Sequence, residues 1–141
     1  MNWIHWSLLS AFFAGLTAVL AKTGVEGVNS NLATAVRTTV VLFFAWSVAL
    51  LTAKPNAVLD LSRRTWLFLA LSGVATSMSW LCYFRALQLG DASRVAPIDK
   101  LSVVFAILFA GMILKEQLTW QHAVGGLLIV AGAVVLAWKP A

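Results

Sequence analysis

Residues 65–84 read TWLFLALSGVATSMSWLCYF, twenty positions without a Lys, Arg, Asp or Glu. An α-helix rises about 1.5 Å per residue, so twenty residues cross the roughly 30 Å hydrocarbon core of a bilayer. The stretches 1–21 and 117–138 are uncharged over at least the same length. Composition agrees: of 141 residues, 61% are hydrophobic and 11% charged, against roughly 25% charged in a soluble domain. Mean hydropathy is +0.90. Fifteen charged side chains cannot cover a soluble domain, and a chain this apolar does not stay disordered. Lipid is the expected solvent for most of it.

Two shorter apolar runs, 38–53 and 101–114, reach spanning length only by extending backward over charge. The second helix then takes in Arg37, and the fourth takes in Pro97, Asp99 and Lys100. The reading is an all-α membrane protein with five transmembrane helices, at about 3–21, 31–52, 65–85, 94–114 and 121–138, in a single domain over 1–141. Gly24, Gly27, Asn29 and Ser30 supply a turn and an N-cap for the second helix. Lys54-Pro55-Asn56 stops that helix, and 57–64 could lie along the interface. Gly90 suits a C-cap, Asp91 or Ser93 suits the next N-cap, and Thr119 suits the cap of the last helix, which ends at Trp138-Lys139-Pro140. Trp3, Trp6, Trp66, Trp120 and Trp138 fall near span ends, where an interfacial aromatic belt places them. The first span lacks a preceding Lys or Arg and exceeds the usual apolar core of a secretory signal.

The net charge of +5 is scattered, with no basic run longer than Arg63-Arg64, so no nucleic-acid partner is expected. Cys82 is the sole cysteine, which excludes an intramolecular disulfide and a cysteine-based zinc site. His5 and His122 lie near span ends and read as interfacial. There is no metal-ligand cluster, nucleotide loop or nucleophile arrangement. No enzyme activity and no cofactor are expected.

Polar residues inside the spans recur at helical spacing. Ser7, Ser10, Ala14 and Thr17 share one face of the first span; Ser72, Thr76, Ser79 and Tyr83 share one face of the third, with Trp80 beside them. Asp99, Ser102 and Ala106 continue the pattern in the fourth. Such hydroxyls either bond to their own helix and its neighbours or line a shared polar cavity. Arg37 lies about 9 Å into its helix, where it either snorkels to the near interface or faces an interior partner. Thr34 and Thr38 flank it and could help hold it. Asp99 and Lys100 project about 100° apart on a helix. They sit either at the interface or in a polar mouth, where Asp99 would bind a cation or exchange a proton. Gly125, Ala131, Gly132 and Ala133 give the fifth span a small face suited to helix packing.

From Trp80 the chain reads Trp-Leu-Cys-Tyr-Phe-Arg-Ala-Leu-Gln-Leu-Gly, then Ala-Ser-Arg-Val-Ala-Pro-Ile, an apolar helix, Lys115-Glu116, and Gly126-Leu-Leu-Ile-Val-Ala-Gly132. In order and spacing this resembles the EamA domain of the drug/metabolite transporter superfamily. The resemblance implies a multispanning transporter of the bacterial or archaeal cytoplasmic membrane. Most members carry two five-helix domains as inverted repeats around a central path, and this chain holds one, so it looks like a half-transporter. The sequence is also similar to the smaller four-helix multidrug exporters. Their essential Glu in the first helix has no counterpart here, because 1–21 contains no acid.

The expected function is a secondary transporter or exporter of small metabolites or drug-like solutes, alternating access as an antiparallel homodimer. Its candidate contacts are Ser10, Thr17, Arg37, Ser79, Trp80, Tyr83 and Asp99. A non-transporting membrane subunit of a larger complex and a passive channel are the alternatives. The dual orientation follows from charge: Lys54, Arg63, Arg64 and Lys115 fall on one side, and Lys22, Arg85, Arg94, Lys100 and Lys139 on the other. Four against five gives the positive-inside rule almost nothing to act on.

Overall fold

The computed structural model describes residues 2–54 and 57–138, and every regular element among them is an α-helix. In chain order these are α1 Trp3–Val25, α2 Ser30–Thr52, α3 Arg63–Leu89, α4 Ala92–Asp99, α5 Ser102–Ile113 and α6 Trp120–Ala137. α4 and α5 together make one candidate span, Ala92–Ile113, so six helices form five elements long and apolar enough to cross a membrane.

The side chains confirm the solvent. Phe44, Leu51, Leu69, Ile113 and Val135 lie uncovered on four different helices. A water-soluble monomer rarely exposes apolar area on this scale. Helices satisfy their own backbone hydrogen bonds, which is the condition for standing in hydrocarbon.

Contacts divide the chain into two units, residues 1–23 with 89–141, and residues 24–88. In the first, α6 packs on α4 and α5, with Gly126 and Ala133 buried. Their small side chains let backbones approach. Lys22 near the end of α1 donates from Nζ to the Gly90 carbonyl at 3.0 Å. In the second, Val25 and Leu87 are fully enclosed. Gln88 donates from Nε2 to the Val28 carbonyl at 2.6 Å, and its Oε1 accepts from Arg85 at 2.6 Å. These bonds tie the end of α3 to the turn before α2.

Helix starts follow local chemistry. The Asn29 side chain accepts from the amides of Asn31 and Leu32, the N-cap expected there. Thr119 caps α6 as expected. His122 is its partner rather than a free interfacial ring: the Thr119 amide donates to His122 Nδ1 at 3.1 Å. α3 begins at Arg63, two residues before the expected start, because Ser62 Oγ accepts from the Thr65 amide. Gly27 takes the left-handed turn before α2, with φ 71°, whereas Gly24 is helical, since α1 runs four residues past its expected end. Asp91 stands at the N-cap of α4 without a side-chain cap bond, and Ser93 is inside the helix. Residues 57–60 form a turn. The stop at Pro55-Asn56 and the end at Lys139-Pro140 lie outside the described residues.

Two packing details differ from expectation. The face of α6 buried within the chain carries Gly126 and Ala133, while a Cβ at Gly125 or Gly132 would meet open space. After α5 the chain reverses through Lys115 in the left-handed region (φ 55°), and the Glu116 amide donates to the Ala110 carbonyl.

Candidate functional site

The expected fourth helix, 94–114, is two helices. α4 ends at Asp99, Lys100 and Leu101 form a turn, and α5 starts at Ser102. Pro97 lies inside α4, three residues before the turn, and having no N–H it leaves the Ser93 carbonyl without its helical donor. Across the turn the amides tighten to three-residue spacing: Leu101 donates to Ile98, Val103 to Lys100 and Val104 to Leu101, all at 2.9–3.0 Å. Counting 1.5 Å per residue from Ala92, the turn lies about 12 Å into a span about 33 Å long.

Asp99 ends α4 and Lys100 opens this turn. At this junction the two side chains meet, with Lys100 Nζ 3.7 Å from Asp99 Oδ2. On a continuous helix they would diverge. Both side chains remain partly open, the Asp99 carboxylate at 37% exposure. Interrupted helices of this kind form the binding sites of many secondary transporters.

The second cluster lies between α2 and α3. Arg37 is seven residues past the start of α2, about 10 Å in by helical rise. Its guanidinium carbon is 4.1 Å from the Trp80 ring centroid and 5.6 Å from that of Phe84. Tyr83 is within electrostatic reach of it. Arg37 therefore packs inward on α3 rather than snorkelling freely. Trp80 and Tyr83 were expected near the path; Phe84 was missed, although it lies one turn after Trp80 on the same face. A cation over an aromatic face gains about 0.5–1 kcal/mol exposed, or about 2 kcal/mol desolvated. Placing arginine at a helix centre costs roughly 2.5–3.5 kcal/mol on insertion scales. The rings thus offset only part of the cost. The Nη1 atom is buried with no hydrogen-bond partner among the described residues.

Thr34 and Thr38 do not hold Arg37. Each hydroxyl donates to the carbonyl four residues back, Thr34 to Ser30 and Thr38 to Thr34, both at 2.8 Å. Ser7 and Thr76 do the same, to Trp3 and Ser72. Those members of the stripes serve their own helices. Ser10, Thr17 and Ser79 form no side-chain hydrogen bond among the described residues, which leaves their hydroxyls available. Ser10, Thr17 and Asp99 belong to the first unit; Arg37, Ser79, Trp80 and Tyr83 belong to the second. Within the second, the structure joins Arg37 to Trp80. A groove of about 600 Å³ along α5 and α6, lined by residues such as Val104, Ile107, Leu127 and Val130 with His122 and Thr119 also on its wall, holds none of the expected site residues. No group of three or more metal-ligating side chains occurs among the described residues.

Five helices long and apolar enough to cross a membrane, one of them made of two segments, define a multispanning membrane protein. The chain belongs to the EamA-like transporter family, which it matches over residues 1–138. It is 51% identical over 136 residues to an uncharacterised transporter encoded beside cobO in a Sinorhizobium species, covering 96% of each chain. It is 35% identical over 74 residues to an Enterobacter protein named as the 4-amino-4-deoxy-L-arabinose-phosphoundecaprenol flippase subunit ArnE, covering 52% of this chain and 69% of that one. An uncharacterised transporter of Synechocystis is 26% identical over 135 residues, 90% of this chain but 37% of its own length. No solved structure matches the chain.

Proposed function

We propose that the chain is a carrier, not an enzyme, and that it moves small metabolites or drug-like solutes across the cytoplasmic membrane by alternating access. Two copies in opposite orientations would supply the inverted pair of five-helix domains. The near-even split of basic residues between the two sides supports that arrangement. The match to barely more than a third of the Synechocystis transporter is consistent with one chain doing half of a larger carrier's work.

The observation that carries the reading is the junction between α4 and α5, where the backbone tightens to three-residue spacing and the partly exposed Asp99 and Lys100 meet at 3.7 Å inside one candidate span. A helix that only packed or faced lipid would gain nothing from this break. A carrier gains exposed polar groups at the depth where a solute must be handed across.

Purified protein in liposomes should show saturable uptake of a labelled solute that is accelerated by the same solute trapped inside. A screen of small amines, sugars and carboxylates, with and without a pH gradient, would find the cargo. Linear, non-saturable flux would indicate a channel. C-terminal reporters for the two compartments should both be active in cells, and activity on one side alone would exclude the antiparallel homodimer.

The relatives named as flippase subunits favour a second reading, in which the chain is one subunit of a hetero-oligomer that turns over a lipid-linked sugar phosphate. Recovery of flux only with a second chain would select it.

A further inference from the structure

We infer that Arg37 is an anion-recognition group, and that the solute or headgroup taken by the α2–α3 cluster carries a carboxylate or phosphate. This rests on the transport reading only in that the ligand would be cargo; binding itself is independent of flux.

Charged side chains within a span almost always pair with an opposite charge or a carbonyl. Arg37 forms no ion pair among the described residues, whose two ion pairs are Arg94–Asp91 and Lys100–Asp99. Its neighbours are ring faces, Trp80 at 4.1 Å and Phe84 at 5.6 Å. The flanking threonines, which could have turned a hydroxyl oxygen towards it, are spent on their own helix.

Geometry separates two uses of the guanidinium. Aromatic packing takes its face, whereas hydrogen bonding takes its planar edge. Trp80 under the face leaves the edge donors unspent, and one of them, Nη1, is buried without a partner. A planar carboxylate or a phosphate can accept two parallel N–H bonds from such an edge. A neutral solute would leave the charge unpaired, and a cation would be repelled. The aromatic walls add a preference for ligands with an apolar or aromatic body beside the anionic group.

The probes are benzoate, phenyl phosphate, benzamide and benzylamine, titrated against the purified chain in neutral detergent by calorimetry and by the thermal unfolding midpoint. Benzoate and phenyl phosphate should bind and raise the midpoint, and benzamide and benzylamine should not. In Arg37→Gln the affinity for both anions should fall roughly tenfold or more, the effect of removing a charged hydrogen bond. Arg37→Lys, which keeps the charge without the planar edge, should lie between. Trp80→Leu should weaken all aromatic probes but keep the order of anion over amide.

Wild-type protein that binds benzamide as tightly as benzoate overturns the inference without any variant, so a poorly folding Arg37→Gln does not shelter it. So does an Arg37→Gln that binds benzoate unchanged. Adding phosphatidylglycerol to the micelles separates two sources of the same chemistry. If it competes with benzoate in wild type and not in Arg37→Lys, a lipid headgroup is the anion; absence of competition leaves a soluble one. Should anions bind while liposomes show no counterflow of any solute, the transport reading fails and this one stands. Saturable flux of uncharged solutes with no anion binding gives the converse.

Discussion

The guanidinium carbon of Arg37 lies 4.1 Å from the centre of the Trp80 ring, which joins α2 to α3 about 12 Å along α3 from Gln88, the residue bonded to Val28. The helices are therefore fastened twice, once by a polar bond near the membrane surface and once by a cation over a ring at depth. Removing the ring leaves a charge in hydrocarbon with less compensation. Trp80→Leu should lower stability by about 1–2 kcal/mol in mixed micelles titrated with a denaturing detergent. Trp66→Leu, at a position half open to lipid, should cost less than half of that.

Asp99 separates function from stability. Its contact with Lys100 is 3.7 Å long and partly exposed, so it contributes little to folding, about 0–1 kcal/mol. Asp99→Asn should express and assemble like the parent while gradient-driven flux falls by about tenfold or more, measured at matched protein in liposomes. Flux equal to the parent at every pH would remove Asp99 from the path.

Pro97 withholds an amide from the Ser93 carbonyl just before the junction of α4 and α5, so Pro97→Ala should stiffen the approach to that junction. The restored amide can bond back to Ser93, and the folded state should become equally or more stable. Turnover should nevertheless drop by about tenfold, as expected when a hinge is stiffened. Thermal midpoints and counterflow rates on one preparation check both halves.

Caps give a prediction that is free of any transport assumption. Asn29→Ala removes the acceptor for two amides at the start of α2, and Thr119→Ala removes the hydroxyl bonded to His122 Nδ1 at 2.8 Å at the start of α6. Each should cost about 1 kcal/mol. The sites lie in different units and share no partner, so the double variant should show nearly the sum in the same detergent titration.

The spans were legible because twenty uncharged residues have few alternatives to a membrane helix, and four of the five expected spans are single helices. The ends were less so. α1 continues past Lys22, whose ammonium finds the Gly90 carbonyl 68 residues away, a partner that no local pattern reveals. Pro97 marked the fourth span as irregular. That Lys100 would meet Asp99 at a junction of two helices depends on backbone geometry that residue types alone do not specify. Arg37 stood out as a charge within a span, and its choice between water and a partner was decided by Trp80 and Phe84 on another helix. The hydroxyl stripes divide, because Ser7 and Thr76 satisfy themselves on carbonyls of their own helices, as do Thr34 and Thr38 beside Arg37.

The central claim is that the interruption between α4 and α5 opens onto water from each side of the membrane in turn. Cys82 is the one cysteine, so Cys82→Ser gives a clean background for single-cysteine labelling. Ser102→Cys places a thiol at the break, and Met112→Cys places one on an exposed apolar face as a lipid control. A membrane-impermeant thiol reagent should modify Ser102→Cys when added to either side of oriented vesicles, and transported solute should slow the reaction. Met112→Cys should stay unmodified throughout. A thiol at 102 that reacts from neither side, or no faster than the one at 112, would contradict the account.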